Sequence, residues 1–146
     1  MTSFMELALN EARAAADAGE VPVGCVIVRH DAVLVKAFNR TIMDRDPTAH
    51  AELIAMRAAA AMIGSERLVD CDLYVTLEPC TMCAAAISFA RIRALHYGAT
   101  DPKGGAVASG VRFFASPTCH HRPEIHAGSG AEQAAALLRD FFRARR

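Results

Sequence analysis

The chain has 146 residues, 53% of them hydrophobic, and its 16 basic residues balance 16 acidic ones. A length of 146 implies one domain over residues 1–146, able to bury roughly 68–70% of its unfolded surface and so to stand without disulfides or metal. No run approaches the roughly 20 apolar residues of a membrane span, Glu6 and Glu11 interrupt the apolar core a signal peptide needs, and a neutral total argues against broad non-specific nucleic-acid binding, so a soluble, cytoplasmic protein is expected.

Ser3-Phe4-Met5-Glu6 has the form of a capping box, and Phe4, Leu7, Ala8 and Ala15 lie near one helical face, which predicts a first helix up to Gly19. Val23 to Val28 and Val33 to Phe38 are apolar runs on either side of a turn at His30-Asp31, the pattern of a β-hairpin. Polar Asn39 to Pro47 precedes an Ala-rich helix expected from Thr48 to Ile63, with Gly64 as its stop and His50 and Glu52 in its first turn. Asp72 to Leu77 is a strand, closed at Glu78-Pro79 because a residue before proline is pushed to extended geometry. Cys80 opens a helix to about Arg91, and Ala94 to Tyr97 is a further strand. Asp101 to Gly110 is a Gly-rich loop, and Val111 to His126 has no clean period. Ala131 to Arg145 is a last helix with Leu137, Leu138, Phe141 and Phe142 on its buried side. Strands alternating with helices after a hairpin imply an α/β fold, a helix-covered mixed sheet whose later strands are joined by crossover helices.

Five cysteines, two of them a Cys-x-x-Cys pair, favour metal or redox chemistry over a disulfide framework. Cys80 and Cys83 are three apart at a helix start, so both sulfurs lie on one face, where the helix dipole favours thiolates. With His50 they make three ligands suited to zinc, the number a hydrolytic site uses when it keeps a fourth position for water. Glu52, two residues from His50, is badly placed to share that metal but can reach its water. Zinc lowers the pKa of such a water to about 7, and a carboxylate beside it can take the proton and return it to a leaving group. Two other readings stand beside this one. Cys80-Thr81-Met82-Cys83, after a strand and opening a helix, is also the placement of a thioredoxin-like redox pair, although that leaves His50 and Glu52 unexplained. A structural zinc would take a fourth ligand from Cys119, His120, Cys71 or Cys25.

His50-Ala51-Glu52 followed by Pro79-Cys80-x-x-Cys83 resembles the signature of the zinc-dependent cytidine/nucleobase deaminase superfamily. Within it, Glu20-Val21-Pro22-Val23-Gly24, Asn39-Arg40, Asp46 to Glu52, Leu73 to Cys80 and Asp140-Phe141-Phe142-Arg143 resemble the bacterial tRNA-specific adenosine deaminases. The resemblance implies a three-layer fold, a mixed five-stranded sheet with helices on both faces, usually as a homodimer. It implies His50, Cys80 and Cys83 as ligands of one zinc per chain, Glu52 as the proton shuttle and Asn39 as a substrate-holding residue. The implied reaction is hydroxide attack on C6 of adenine, leaving inosine at the wobble position of an arginine tRNA anticodon. Asp101 and Lys103 resemble loop residues near the RNA, and Arg143, Arg145 and Arg146 offer phosphate partners, unless that tail is only the solvated face of a helix. Ala108 to Cys119 departs from the family pattern, which leaves open a free-base or nucleoside deaminase acting on guanine, cytosine or cytidine with the same metal centre. A metal-stabilised RNA-binding module without turnover is the other alternative, but it has no use for Glu52.

Overall fold

The computed structural model describes residues 2–145. Helix α1 (Phe4–Asp17) starts at Ser3, whose side chain accepts a hydrogen bond from the Glu6 amide. Strands β1 (Gly24–Arg29) and β2 (Ala32–Phe38) follow. The turn between them has positive φ at both His30 (52°) and Asp31 (62°), the geometry that matches the twist of a two-residue hairpin. Helix α2 (Ala51–Ile63), strand β3 (Cys71–Leu77), helix α3 (Thr81–Phe89) and strand β4 (Ala94–Ala99) come next. A single 3-10 turn (Phe113–Ala115) leads to strand β5 (Glu124–Ala127) and helix α4 (Ala131–Arg143).

The five strands form one sheet in the order β2-β1-β3-β4-β5. β1 is antiparallel to β2 and β3, while β3, β4 and β5 run parallel. Alternation along β1 sorts the core into two layers. Cys25 and Ile27 face α2 and α3 in a cluster with Ala55, Met56, Leu73, Ile87 and Leu95. Val26 and Val28 face α1 and α4 with Met5, Leu9 and Ala134. The small residues of α1 let it lie almost on the sheet: a side chain at Gly24 would overlap the Ala8 carbonyl and sit 2.6 Å from the Ala12 amide nitrogen.

Four expectations need correction. α2 begins at Ala51 rather than Thr48, because Asp46 Oδ1 accepts from both the amide and the hydroxyl of Thr48 (2.8 and 2.7 Å) and holds that stretch as a turn. His50 is therefore the N-cap, with extended backbone. α3 spans Thr81–Phe89 rather than Cys80 to Arg91, ending before Arg91 turns to φ 62°. β5 begins inside the segment without a clean period and runs one residue past it: all four of its residues are exposed, so an edge strand leaves no alternation to read. α4 ends at Arg143, short of Arg145, and its Phe142 is 48% exposed while Phe141 is buried.

Candidate metal centre and active site

Two helix N-termini converge at one end of the sheet. His50 caps α2 and Cys80 caps α3, and neither side chain is spent on a capping hydrogen bond. His50 Nδ1 lies 3.6 Å from Cys80 Sγ and 3.6 Å from Cys83 Sγ. A tetrahedral zinc ion, with bonds of about 2.3 Å to sulfur and 2.0–2.1 Å to nitrogen, sets such ligands about 3.6 Å apart. The donor set therefore fits zinc with a fourth direction left open. Among the described residues this is the only group of His, Cys, Asp or Glu donors that converges so closely. The alternative fourth ligands do not join this group: Cys119 Sγ donates to the His121 carbonyl at 3.1 Å, His120 is exposed, Cys71 Sγ donates to the Val69 carbonyl at 3.7 Å, and Cys25 is wholly buried in the core. A dithiol redox pair has no need of an imidazole equidistant from both sulfurs.

The electrostatics suit a cation. The Cys83 thiol hydrogen bond and then His50 pull Cys80 down to about 4 against the effect of burial. The same bond, with burial, pushes Cys83 up, and the bond with Cys80 raises His50. Two sulfurs so close share one negative charge, and a divalent metal lets both ionise. Glu52 is buried in the first turn of α2, and burial lifts its carboxyl to about 7. That value belongs to the metal-free protein; a divalent cation held nearby favours the ionised carboxylate, the form that accepts a proton.

A cavity of about 330 Å³ opens beside these groups, lined among others by Val21, Val23, Asn39, Glu52, Asp101 and Gly104. That is the low end for ligand sites and suits a single ring system. It adjoins a second cavity of about 810 Å³ that shares Val21, Leu77, Asp101 and Gly104 and adds Lys103, Phe142 and Arg145. Arg145 also packs its guanidinium 3.5 Å from the centroid of the Phe141 ring. Arg143 is exposed and lines neither cavity, and Arg146 lies outside the described residues. The Asp101 carboxylate is turned toward its own loop, accepting from the amides of Lys103 (3.2 Å) and Gly104 (3.1 Å).

Two buried acids at the rim have no counterpart in the sequence-based expectations. Glu20, 0% exposed, accepts from Asn39 Nδ2 at 3.4 Å and from the amides of Ile42 and Met43 at 3.2 and 2.7 Å. It thereby holds both the Asn39 side chain and the polar segment after β2. Glu78 is bonded to the loop after β4 in the same manner. A lone acid beside Val21-Pro22 and another before Pro79 were the available signals.

Residues 1–99 match the family described as the cytidine and deoxycytidylate deaminase zinc-binding region. A tRNA-specific adenosine deaminase of Agrobacterium fabrum is 59% identical over 145 residues, 99% of this chain and 95% of that protein. A solved structure from work on A-to-I editing by tRNA:A34 deaminases at the wobble position of transfer RNA is 59% identical, with a TM-score of 0.92 over 94% of this chain and 100% of the other. The structure of a guanine deaminase from Bacillus subtilis is 32% identical, with a TM-score of 0.66 over 98% of this chain and 91% of that one.

Proposed function

Since the chain belongs to the cytidine and deoxycytidylate deaminase zinc-binding family, we propose that residues 1–146 act as one deaminase domain converting adenosine to inosine at the wobble position of an arginine tRNA. The observation that carries this is the 59% identity, along 99% of the chain, with a tRNA-specific adenosine deaminase. His50, Cys80 and Cys83 would hold one zinc ion. When bound, that ion supplies the Lewis acidity that makes water a nucleophile at neutral pH.

The chain's own residues then have distinct tasks. Glu52 takes a proton from the attacking water and delivers it to the departing nitrogen, so that the C6–N bond is exchanged for C6–O and ammonia leaves. Its burial in the pocket wall keeps it close to both atoms. Asn39 holds the base by its amide, oriented by Glu20. Val21, Val23 and Leu77 give the ring an apolar wall that excludes water. The substrate is an anticodon arm, whose loop bases are poorly stacked and therefore cheap to flip into a small cavity. Asp101, Lys103, Arg143 and Arg145 serve the flanking nucleotides, the cations through phosphate. A homodimer is part of the same proposal, supported by Phe89, 68% exposed beside an apolar groove between α2 and α3, and a cytoplasmic location is proposed with it.

The test is incubation of the purified protein with an arginine tRNA anticodon stem-loop and, separately, with free guanine, cytosine and adenosine. Inosine in the RNA with no ammonia from the free compounds is the expected result. Ammonia from guanine and none from the RNA would favour the activity of the Bacillus subtilis relative and overturn this function.

A further inference from the structure

Glu78 ends the link between β3 and the Pro79-Cys80 turn, and it is 2% exposed. A carboxylate at that depth is stable only when its lone pairs are filled. Oε2 accepts from the amides of Val107 (3.0 Å), Ala108 (2.9 Å) and Ser109 (3.0 Å). Oε1 accepts from the Asp101 amide (2.9 Å) and from Ser109 Oγ (3.0 Å). The carboxylate thus grips both ends of the Gly-rich loop after β4. The same loop is tied to the metal-ligand turn itself: Cys80 and Gly105 form an antiparallel bridge, and the Ala106 amide donates to the Pro79 carbonyl at 2.8 Å. Gly105 has no room for a side chain, since a Cβ would overlap the Glu78 carboxyl carbon and lie 2.6 Å from the Asp101 carbonyl.

We infer that Glu78 is a positioning residue: it fixes the loop bearing Asp101 and Lys103 as a preformed lip on the substrate pocket, at a set distance from Cys80. Asp101 and Gly104 from this loop line both cavities, so its placement sets where a substrate strand can lie. A lip held before binding spares the substrate the entropy of ordering it. The effect belongs to substrate capture more than to the bond-changing step. The kinetic part of this inference rests on the reading of an RNA loop as substrate, whereas the clamp itself does not.

Glu78→Gln keeps the volume but turns one acceptor oxygen into an NH2 that faces donors, so either Asp101 or the three amides of 107–109 lose their partner. Amide exchange should speed up by about tenfold or more either at Asp101 or at Val107, Ala108 and Ser109 together. Zinc per chain should stay as in wild type. KM for the stem-loop should rise by about tenfold with kcat within about threefold. Ser109→Ala removes one bond of the clamp and should move exchange and KM the same way by a smaller factor. Unchanged exchange, faster exchange with unchanged KM, loss of zinc, or a fall in kcat as large as the rise in KM would each overturn the inference. If Glu78→Gln does not fold, Ser109→Ala decides alone, and wild-type exchange at Asp101 with wild-type KM overturns it. A wild-type protein that makes no inosine would sink the proposed function, while the exchange data would still decide the clamp.

Discussion

Replacing Glu52 separates proton transfer from metal binding. The residue is 4% exposed, lines the smaller cavity, and is absent from the converging donors His50, Cys80 and Cys83. Glu52→Gln preserves shape and removes the proton carrier. Turnover should fall by about a hundredfold to ten-thousandfold, the range of a positioned general acid–base, with zinc held at the wild-type stoichiometry. Stability of the metal-free protein should move the other way. Burial lifts the folded carboxyl from 4.5 to about 7, so the folded state binds this proton more tightly than the unfolded chain. Its contribution is therefore complete below 4.5 and is lost as pH rises toward 7. At about 1.4 kcal/mol per pH unit, the wild type carries a penalty on the order of 3 kcal/mol at pH 7 that the Gln variant lacks. Inosine formation, metal analysis and urea unfolding of the metal-free proteins at pH 5 and 7 check all three effects. Loss of zinc in the variant would make Glu52 a ligand, and turnover within about tenfold of wild type would remove it from proton transfer. A stability difference that does not grow between pH 5 and 7 would refute the burial argument.

Three further outcomes follow from named contacts. Cys119→Ser should leave zinc content unchanged, because its sulfur is engaged with the His121 carbonyl at 3.1 Å; metal-free protein from this variant would support a four-ligand structural site. Gly24→Ala should cost about 3 kcal/mol and lower Tm by about 10 °C, the upper end for overpacking because α1 backbone is in the way. A thermal melt within about 2 °C of wild type would show that α1 can shift freely. His96 stacks between Tyr74 (4.1 Å) and His126 (4.6 Å), and burial followed by the charge of His126 lowers its pKa from 6.5, with Asp72 and Glu124 opposing and Arg93 adding to the shift. The unfolded chain then binds this proton more readily, so stability is full above about 6.5 and falls with pH below it. His96→Gln should flatten that acid limb in denaturant titrations at pH 5 to 7, and an unchanged slope would count against the stack as its origin.

The metal-donor spacing was legible because it is local. A separation of three positions between Cys80 and Cys83 at a helix start puts their sulfurs on one side whatever the rest of the chain does. The hairpin and α2 were legible from apolar runs and from Gly64, which caps α2 with φ 79°. What failed to show had no periodic signature. β5 is exposed at every residue, and Phe141 and Phe142, adjacent on a helix, cannot both face the sheet. Glu20 and Glu78 are single acids whose partners stand 19 to 31 residues away, so their bonds become visible only once the chain has closed on itself.

The stretch from Ala108 to Cys119 is anchored at both ends. Its first residues are held through backbone amides on Glu78, bonds that do not depend on which side chains those residues carry. Its far end is fastened just beyond Cys119, where Ser88 Oγ in α3 donates to the His121 carbonyl at 2.8 Å and accepts from the His121 amide at 3.3 Å. Both anchors sit on the β3–α3 unit that carries Cys80 and Cys83. Between them Phe114 is buried in the core on the α2 and α3 side and the Phe113 amide donates to the Ala106 carbonyl at 2.8 Å, so it is the exposed residues around them that can change while the sulfurs keep their places. Substitutions at the exposed positions of Arg112 to Cys119 are therefore compatible with an unaltered metal centre.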